Sequence, residues 1–503
     1  MRNELPSLSA RTLARRLARR EVSAEEVMRA HLDRIRALNP ELNAIVTLLP
    51  EPDLLAAARA KDDSLRRGDV SGPLHGLPVA HKDLHLTRGI RTTFGSPIFA
   101  DFVPREEALI VARIRRAGAI AIGKTNTPEF GAGSQTFNPV FGATRNPWDP
   151  TRTCGGSSGG AAVALATGMV PLAEGSDYGG SLRNPASFCG VVGLRPSPGR
   201  VPDWPDEAPW FPVPVSGPMA RSAADAALLL GAIAGPDARA PLSLPDPGAA
   251  FHEPLDRDFH GTRVAWSAGF AGLPFDRRVV RAVAPARAAL ESIGCEVADE
   301  DPDMAGATGV FDRLRAWYFD LCYGPLLERH RARMKETVIW NIERGQALTA
   351  SDLAGATRRW TALLARATAF MARFEFFVLP TVQAPPFDLG QEYLEAIEGV
   401  RMRTYTEWMG SCALVSLLGL PAASVPVGMT DDGLPVGLQV VGRARADFAV
   451  LQLAHALEAA LPPPSRLPFP IPPGPAGQSA PLGSASSQER AVRRGTQREE
   501  VPR

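Results

Sequence analysis

Four lysines, at 61, 82, 124 and 335, stand among the 55 basic residues of this chain; all the others are arginine. Where ordinary surface cations have become arginine, a retained lysine points to chemistry that a guanidinium cannot do, because arginine keeps its proton in proteins. Lys82 lies in PVAHKDLHL, between apolar runs. Burial there lowers a lysine pKa from roughly 10.4 toward neutrality, a shift of about three units or about 4 kcal/mol, and creates a general base. Asp83 would oppose the shift if it lay close. Neighbours on a strand face opposite sides, so Asp83 is expected to have a separate structural role.

Two small-residue stretches could supply hydroxyls for such a base. The first, TRTCGGSSGGAAVALATG, spans 151–168. A flexible linker would repeat its units, whereas this stretch runs directly into an apolar, helix-like segment. A phosphate loop would end in GK[ST], which is absent here. Gly155, Ser157 and Gly159 satisfy the G-x-S-x-G pattern of a nucleophile elbow, but that mechanism needs a downstream histidine base. His252, His260, His330 and His455 follow Ser157, and none occupies an obvious loop after a strand. The second stretch, EGSDYGGSLRNPASFCG, spans 174–190. Its Gly179-Gly180-Ser181 run could point successive backbone N–H groups into one concavity, as an oxyanion hole requires, or could equally form a tight turn. His81 and His85 would suit a metal on a helix; on a strand they stand roughly 13 Å apart, and ordinary packing is the expectation.

The elements around these residues follow from periodicity. Residues up to about 65 look helical, with Ser23 and Glu26 in a capping-box pattern and Asn39-Pro40 expected to end that helix. From Gly76 to about 235, short apolar runs such as LPVAHK, AGAIAIGK and GVVGLRP alternate with helical stretches, which predicts an α/β region around a largely buried sheet. Residues 236–260 read as a connection. TRVAWSAG then reads as a strand, RRVVRAVAPARAALESIG as one helix, and 311–376 as mostly helical. FEFFVLPTV, GLPAASVPVGM and GLPVGLQVVGR return to sheet texture, and ADFAVLQLAHALEAAL is a final amphipathic helix. From Pro462 the chain is proline-rich and then polar, a composition expected to be disordered.

Composition narrows the partners. The chain has 503 residues, 45% hydrophobic, and 55 basic against 54 acidic residues, so no net field recruits nucleic acid, anionic lipid or acidic substrates. The five cysteines are scattered without a CxxC pair, which fits reduced thiols of a cytoplasmic protein and shows no metal cluster. The first residues carry charges throughout and lack the apolar core of a secretory signal. The longest nearly uncharged run is too short and too broken by glycine and proline to span a membrane.

Several motifs, in order, resemble the amidase signature family of carboxamide hydrolases: PVAHKD, GKTNTPEFG, CGGSSGG, GSDYGGSLRNPASFCGVVGLRPS and GLPVGLQVVGR. The resemblance runs to about Leu461. It implies one large α/β/α domain around a twisted mixed sheet over 71–461, with residues 1–70 as packing helices of the same domain. The catalytic core is expected within 76–200, a variable substrate-entrance region within 300–376, and a tail over 462–503. It also implies a Ser–cisSer–Lys triad without metal or cofactor. Ser181 matches the nucleophile; Ser157, 24 residues earlier, matches the serine after a cis bond; Lys82 matches the base. The N–H groups of Tyr178, Gly179, Gly180 and Ser181 are the implied oxyanion hole. Ser158 is expected to hydrogen-bond the lysine, and Asp177 and Arg183 to brace the loop. Gly131 to Ser134 resemble the acyl-side lining, while Trp317, Tyr318, Cys322 and Trp340 fall where substrate entrances diverge or simply pack.

On this reading the partner is a small-molecule amide, with no nucleic acid or membrane and with a homodimer allowed. Two alternatives use the same residues differently: a glutamine-hydrolysing amidotransferase subunit, and a catalytically silent binding or scaffold protein.

Overall fold

The computed structural model describes residues 2–267 and 269–461. The proline-rich stretch 462–503 lies outside the described residues. Eleven strands form one sheet: β1 (Ile45–Leu48), β2 (Pro78–Lys82), β3 (Ile120–Thr125), β4 (Leu172–Asp177), β5 (Val192–Arg195), β6 (Val215–Ala220), β7 (Arg263–Trp266), β8 (Glu296–Asp299), β9 (Phe376–Pro380), β10 (Ala422–Met429) and β11 (Pro435–Gly442). Their spatial order is β1-β3-β2-β4-β6-β5-β10-β11-β9-β7-β8. β2 runs parallel to β3 and β4, whereas β4 pairs antiparallel with β6, so the sheet is mixed. Every residue of β2 and of β11 is buried, which is why these strands read as continuous apolar runs instead of alternating ones.

The helix Gly159–Ala166 is buried along its whole length against the sheet. Its first turn explains the glycines. A Cβ on Gly160 would stand 2.3 Å from the Asn126 amide nitrogen and 2.6 Å from the Ala44 carbonyl oxygen, so only glycine lets the helix meet the end of β3.

Three sequence expectations need correction. The Ser23–Glu26 capping box is present, but its helix continues through Pro40 to Leu42 and ends at Asn43 in the left-handed conformation (φ 53°). The Asn39 side chain accepts from the amides of Ala44 and Ile45, holding the chain as it leaves that last turn. Next, the amino-terminal segment adds more than helices, because β1 pairs with β3 at the sheet edge. Finally, the stretch read as one helix after β7 is two, Arg277–Val283 and Pro285–Ser292. Proline has no amide hydrogen and is tolerated in a first turn, so Pro285 starts a new helix.

Candidate active site

Lys82 is the last residue of β2 and is fully buried. Its Nζ reaches three hydroxyls: Ser157 Oγ at 2.7 Å, Ser158 Oγ at 2.9 Å and Ser176 Oγ at 3.0 Å. Among the described residues no carboxylate pairs with it. Burial drives its pKa down to about 7, against the raising influence of Glu174 and Asp177. A neutral amine has two hydrogens and one lone pair, so three hydroxyl contacts require one hydroxyl to donate to nitrogen.

The local sequence makes this cluster possible. The Gly156–Ser157 peptide is cis. Gly175 on β4 has no side chain where Ser158 must stand; a Cβ there would lie 2.3 Å from Ser158 Oγ. The Ser158 amide donates to the Ser181 carbonyl at 3.2 Å, which ties the two serine-bearing segments together. Ser157 and Ser181 open into the same cavity of about 200 Å³. The hydrogen bond of the Ser157 hydroxyl is to Lys82; among the described residues none joins it to the Ser181 hydroxyl.

Asp177 shapes the segment that carries Ser181. Its Oδ1 accepts from the Gly180 amide at 2.8 Å and its Oδ2 from the Leu182 amide at 3.1 Å. Arg183 grips it with two bonds, Nε to Oδ2 at 3.0 Å and Nη2 to Oδ1 at 2.8 Å, and Arg195 Nη1 lies 3.3 Å from Oδ1. Burial would raise the Asp177 pKa, but the two guanidiniums hold it well below the usual carboxylate range. Arg183 also donates to Gln439 Oε1 on β11 and to Ser416 Oγ, which gives the GLPVGLQVVGR motif its place in the site.

Gly180 is therefore a correction. Its N–H is spent on Asp177, which leaves the amides of Tyr178, Gly179 and Ser181 as the candidate oxyanion donors. Gly131 and Cys322 line the cavity, and so do Phe130, Tyr178, Tyr318 and Tyr323. Ser134 does not. Its Oγ donates to the Gly156 carbonyl at 2.7 Å and accepts from Asn184 Nδ2 at 3.0 Å, so it holds the turn behind the cavity. Trp317 also points elsewhere, packing edge-on against Phe211 at 5.0 Å and beside Trp210 at 5.7 Å. Trp340 packs on Tyr405.

The histidine expectation also changes. The strand ends at Lys82 and the chain turns, with the His85 amide donating to the Lys82 carbonyl. His81 and His85 thereby converge on one carboxylate, Glu174, with Nδ1 contacts of 3.2 and 2.5 Å. Glu174 Oε1 also accepts from the Lys82 amide at 2.9 Å, so this trio anchors the backbone beneath the lysine. Asp83 takes the separate role expected of it, accepting from the Thr93 hydroxyl and amide. Sequence reasoning missed Lys124, a second fully buried lysine, whose pKa burial lowers to about 8. It donates to the hydroxyls of Thr87 and Thr92 at 2.9 and 3.0 Å and stays 3.9 Å from Asp83. The rarity of lysine could have flagged both. Among the described residues no group of three or more metal-binding side chains occurs, and no helix is long and apolar enough to cross a membrane.

Comparison with known proteins gives this arrangement its class. A family model described as Amidase matches residues 26–451. The acylamidase of Rhodococcus erythropolis is 36% identical, covering 90% of this chain and 96% of its own. A glutamyl-tRNA(Gln) amidotransferase subunit of Ralstonia nicotianae is 35% identical, covering 90% and 97%. Among solved structures, a bacterial aryl acylamidase of the amidase signature family superposes with a TM-score of 0.84 at 26% identity, over 91% of this chain and 99% of that one. The 6-aminohexanoate cyclic dimer hydrolase does so with a TM-score of 0.83 at 27% identity, over 92% and 98%. Fold and relatives together define a hydrolase of C–N bonds. The chain belongs to the amidase signature family.

Proposed function

We propose that this chain is a free-standing amidase that cleaves a carboxylic amide through an acyl-enzyme on Ser181. Neutral Lys82 accepts a proton from Ser157, which takes one from Ser181 as that hydroxyl turns toward it in the substrate complex. The Ser181 oxygen attacks the carbonyl carbon, and the amides of Tyr178, Gly179 and Ser181 receive the developing oxyanion, a contribution of a few kcal/mol per donor. Ser157 returns its proton to the departing amine as the C–N bond breaks. Water then attacks the ester by the reverse relay and releases the carboxylate.

The observation that carries this reading is the buried Lys82 amine, without a carboxylate partner among the described residues and 2.7 Å from a serine that shares its cavity with Ser181. The aryl acylamidase superposition and the aromatic lining of the cavity support an amide with an apolar part. Purified chain incubated with anilides of graded acyl size tests it. Turnover with release of aniline, together with a Ser181 adduct seen by mass spectrometry, is the expected outcome; intact anilides and an unmodified Ser181 would overturn it.

The second reading is an amidotransferase component that draws ammonia from glutamine, favoured by the 35% identity to the Ralstonia nicotianae protein. Under that reading glutamine hydrolysis is slow alone and is stimulated by a companion protein. Full turnover of simple amides by the isolated chain removes it.

A further inference from the structure

One charged group in the cavity has no task in amide hydrolysis. Arg315, on the helix Ala307–His330, lines the cavity and is only 5% exposed. Its Nη2 donates to Tyr405 Oη at 2.8 Å, an oxygen that also accepts from Asn341 Nδ2 at 2.5 Å. Its Nε is buried with no hydrogen-bond partner, and no carboxylate of the described residues pairs with the guanidinium. Three other buried arginines around the sheet do pair with carboxylates: Arg183 and Arg195 share Asp177, and Arg200 holds Asp447 and Asp246.

Asp312, three residues earlier on the helix, feels the Arg315 charge without forming an ion pair, and the immediate neighbours of the guanidinium are aromatic faces. The Arg315 guanidinium carbon lies 4.5 Å from the ring centre of Phe319, 5.6 Å from Tyr178 and 5.7 Å from Tyr405. Such faces attract a cation but do not replace the water or carboxylate oxygens that its N–H groups have lost. A guanidinium held in this way still has N–H donors to offer a carboxylate oxygen in the cavity. Of the carboxylates that share the cavity, none forms an ion pair with Arg315 among the described residues, and Asp177 is held by Arg183 and Arg195. Asp203 accepts from Ser216 Oγ at 2.8 Å and Asp206 from the Ala208 amide at 2.8 Å, while Glu207 is exposed. Tyr178 immediately precedes Gly179, so the guanidinium lies one ring away from the candidate oxyanion loop.

We propose that Arg315 binds a carboxylate of the substrate, so that the preferred amides are monoanions carrying that group on the acyl or amine part beside the scissile bond. The assignment rests on the Ser181-centred reading of the cavity and adds its substrate class.

Glutaranilate, the mono-anilide of glutaric acid, and its neutral methyl ester test the assignment. The intact chain is expected to hydrolyse the anion with kcat/KM at least about 10-fold above the ester. Arg315→Gln should erase that ratio mainly through KM, and Arg315→Lys should restore part of it. Binding of glutaranilate to the Ser181→Ala protein, followed by calorimetry, reads the same contact without turnover. Equal handling of anion and ester by the unaltered chain overturns the proposal, even if Arg315→Gln does not fold. So does an Arg315→Gln protein that loses both substrates in proportion through kcat, since that is the mark of a structural clamp. Charge-selective binding to Ser181→Ala without turnover of any anilide by the parent chain would uphold Arg315 and overturn the amidase reading. Turnover without charge preference would do the reverse.

Discussion

Lys82 Nζ stands 2.7 Å from Ser157 Oγ at the buried end of a central strand, and the amine meets hydroxyls there instead of a carboxylate. A salt-bridged lysine would be locked as an ammonium. One surrounded by three hydroxyls and the Ser176 carbonyl, with its pKa lowered toward neutrality by burial, can trade a proton at ordinary pH.

On the proposed mechanism Ser181→Ala removes the attacking oxygen and little else, because Ser181 is partly exposed to the cavity and its backbone contact to Ser158 remains. Amide turnover is expected to fall by at least about 10⁴-fold, with residual rate from binding alone. The melting temperature should stay within a few degrees of the parent's.

The pH profile should carry the signature of Lys82. Only the neutral amine can accept a proton, so kcat/KM is expected to climb about tenfold per pH unit below about 7 and level off above it. Stability carries the same sign. The folded-state pKa lies below the unfolded value of 10.5, so the burial penalty is full below about 7 and shrinks as pH rises to 10.5. Lys82→Met should therefore raise the melting temperature more at pH 6 than at pH 10, measured by calorimetry.

Asp177 pairs with both Arg183 and Arg195. Asp177→Asn leaves two buried guanidiniums without their counter-charge and should cost about 3–5 kcal/mol in urea unfolding. Gln439→Leu removes a single neutral acceptor from Arg183 and should cost about 1–3 kcal/mol. The larger loss should fall on Asp177→Asn, with a matching drop in kcat because the Gly180 and Leu182 amides lose their anchor.

Gly175→Ala tests the packing beneath the lysine. A methyl there meets Ser158 Oγ at 2.3 Å and must displace a hydroxyl that solvates Lys82. The expected cost is about 1–3 kcal/mol, with a fall in kcat that Gly269→Ala, in open space, does not share.

Short-range pattern makes much of this site legible. Rarity of its type together with its apolar flanks draws attention to Lys82 and the G-x-S-x-G pattern to Ser157, whereas Ser158, Asp177 and Arg183 come from the resemblance to the amidase signature family. The strands read well because buried runs such as PVAHK are continuous. What short-range pattern misses depends on contacts between distant segments. Nothing near Gly180 in the sequence says that its amide turns onto Asp177, and nothing near Arg183 names Gln439, 256 residues away. Trp317 is a different case. Arg315, Tyr318, Phe319 and Cys322 recur at i, i+3, i+4 and i+7, one helix face, and all four line the cavity. Trp317 lies off that face, and the spacing is sufficient to reject it.

The rate at which a fluorophosphonate modifies Ser181, followed by intact-mass and peptide mass spectrometry across pH 5–9, tests the lysine relay most directly. The account predicts a rate that rises with pH through about 7 in the parent chain and falls at least about 100-fold in a folded Lys82→Arg protein. Labelling of Ser181 in Lys82→Arg at the parent rate, or a parent rate indifferent to pH across that range, would contradict it.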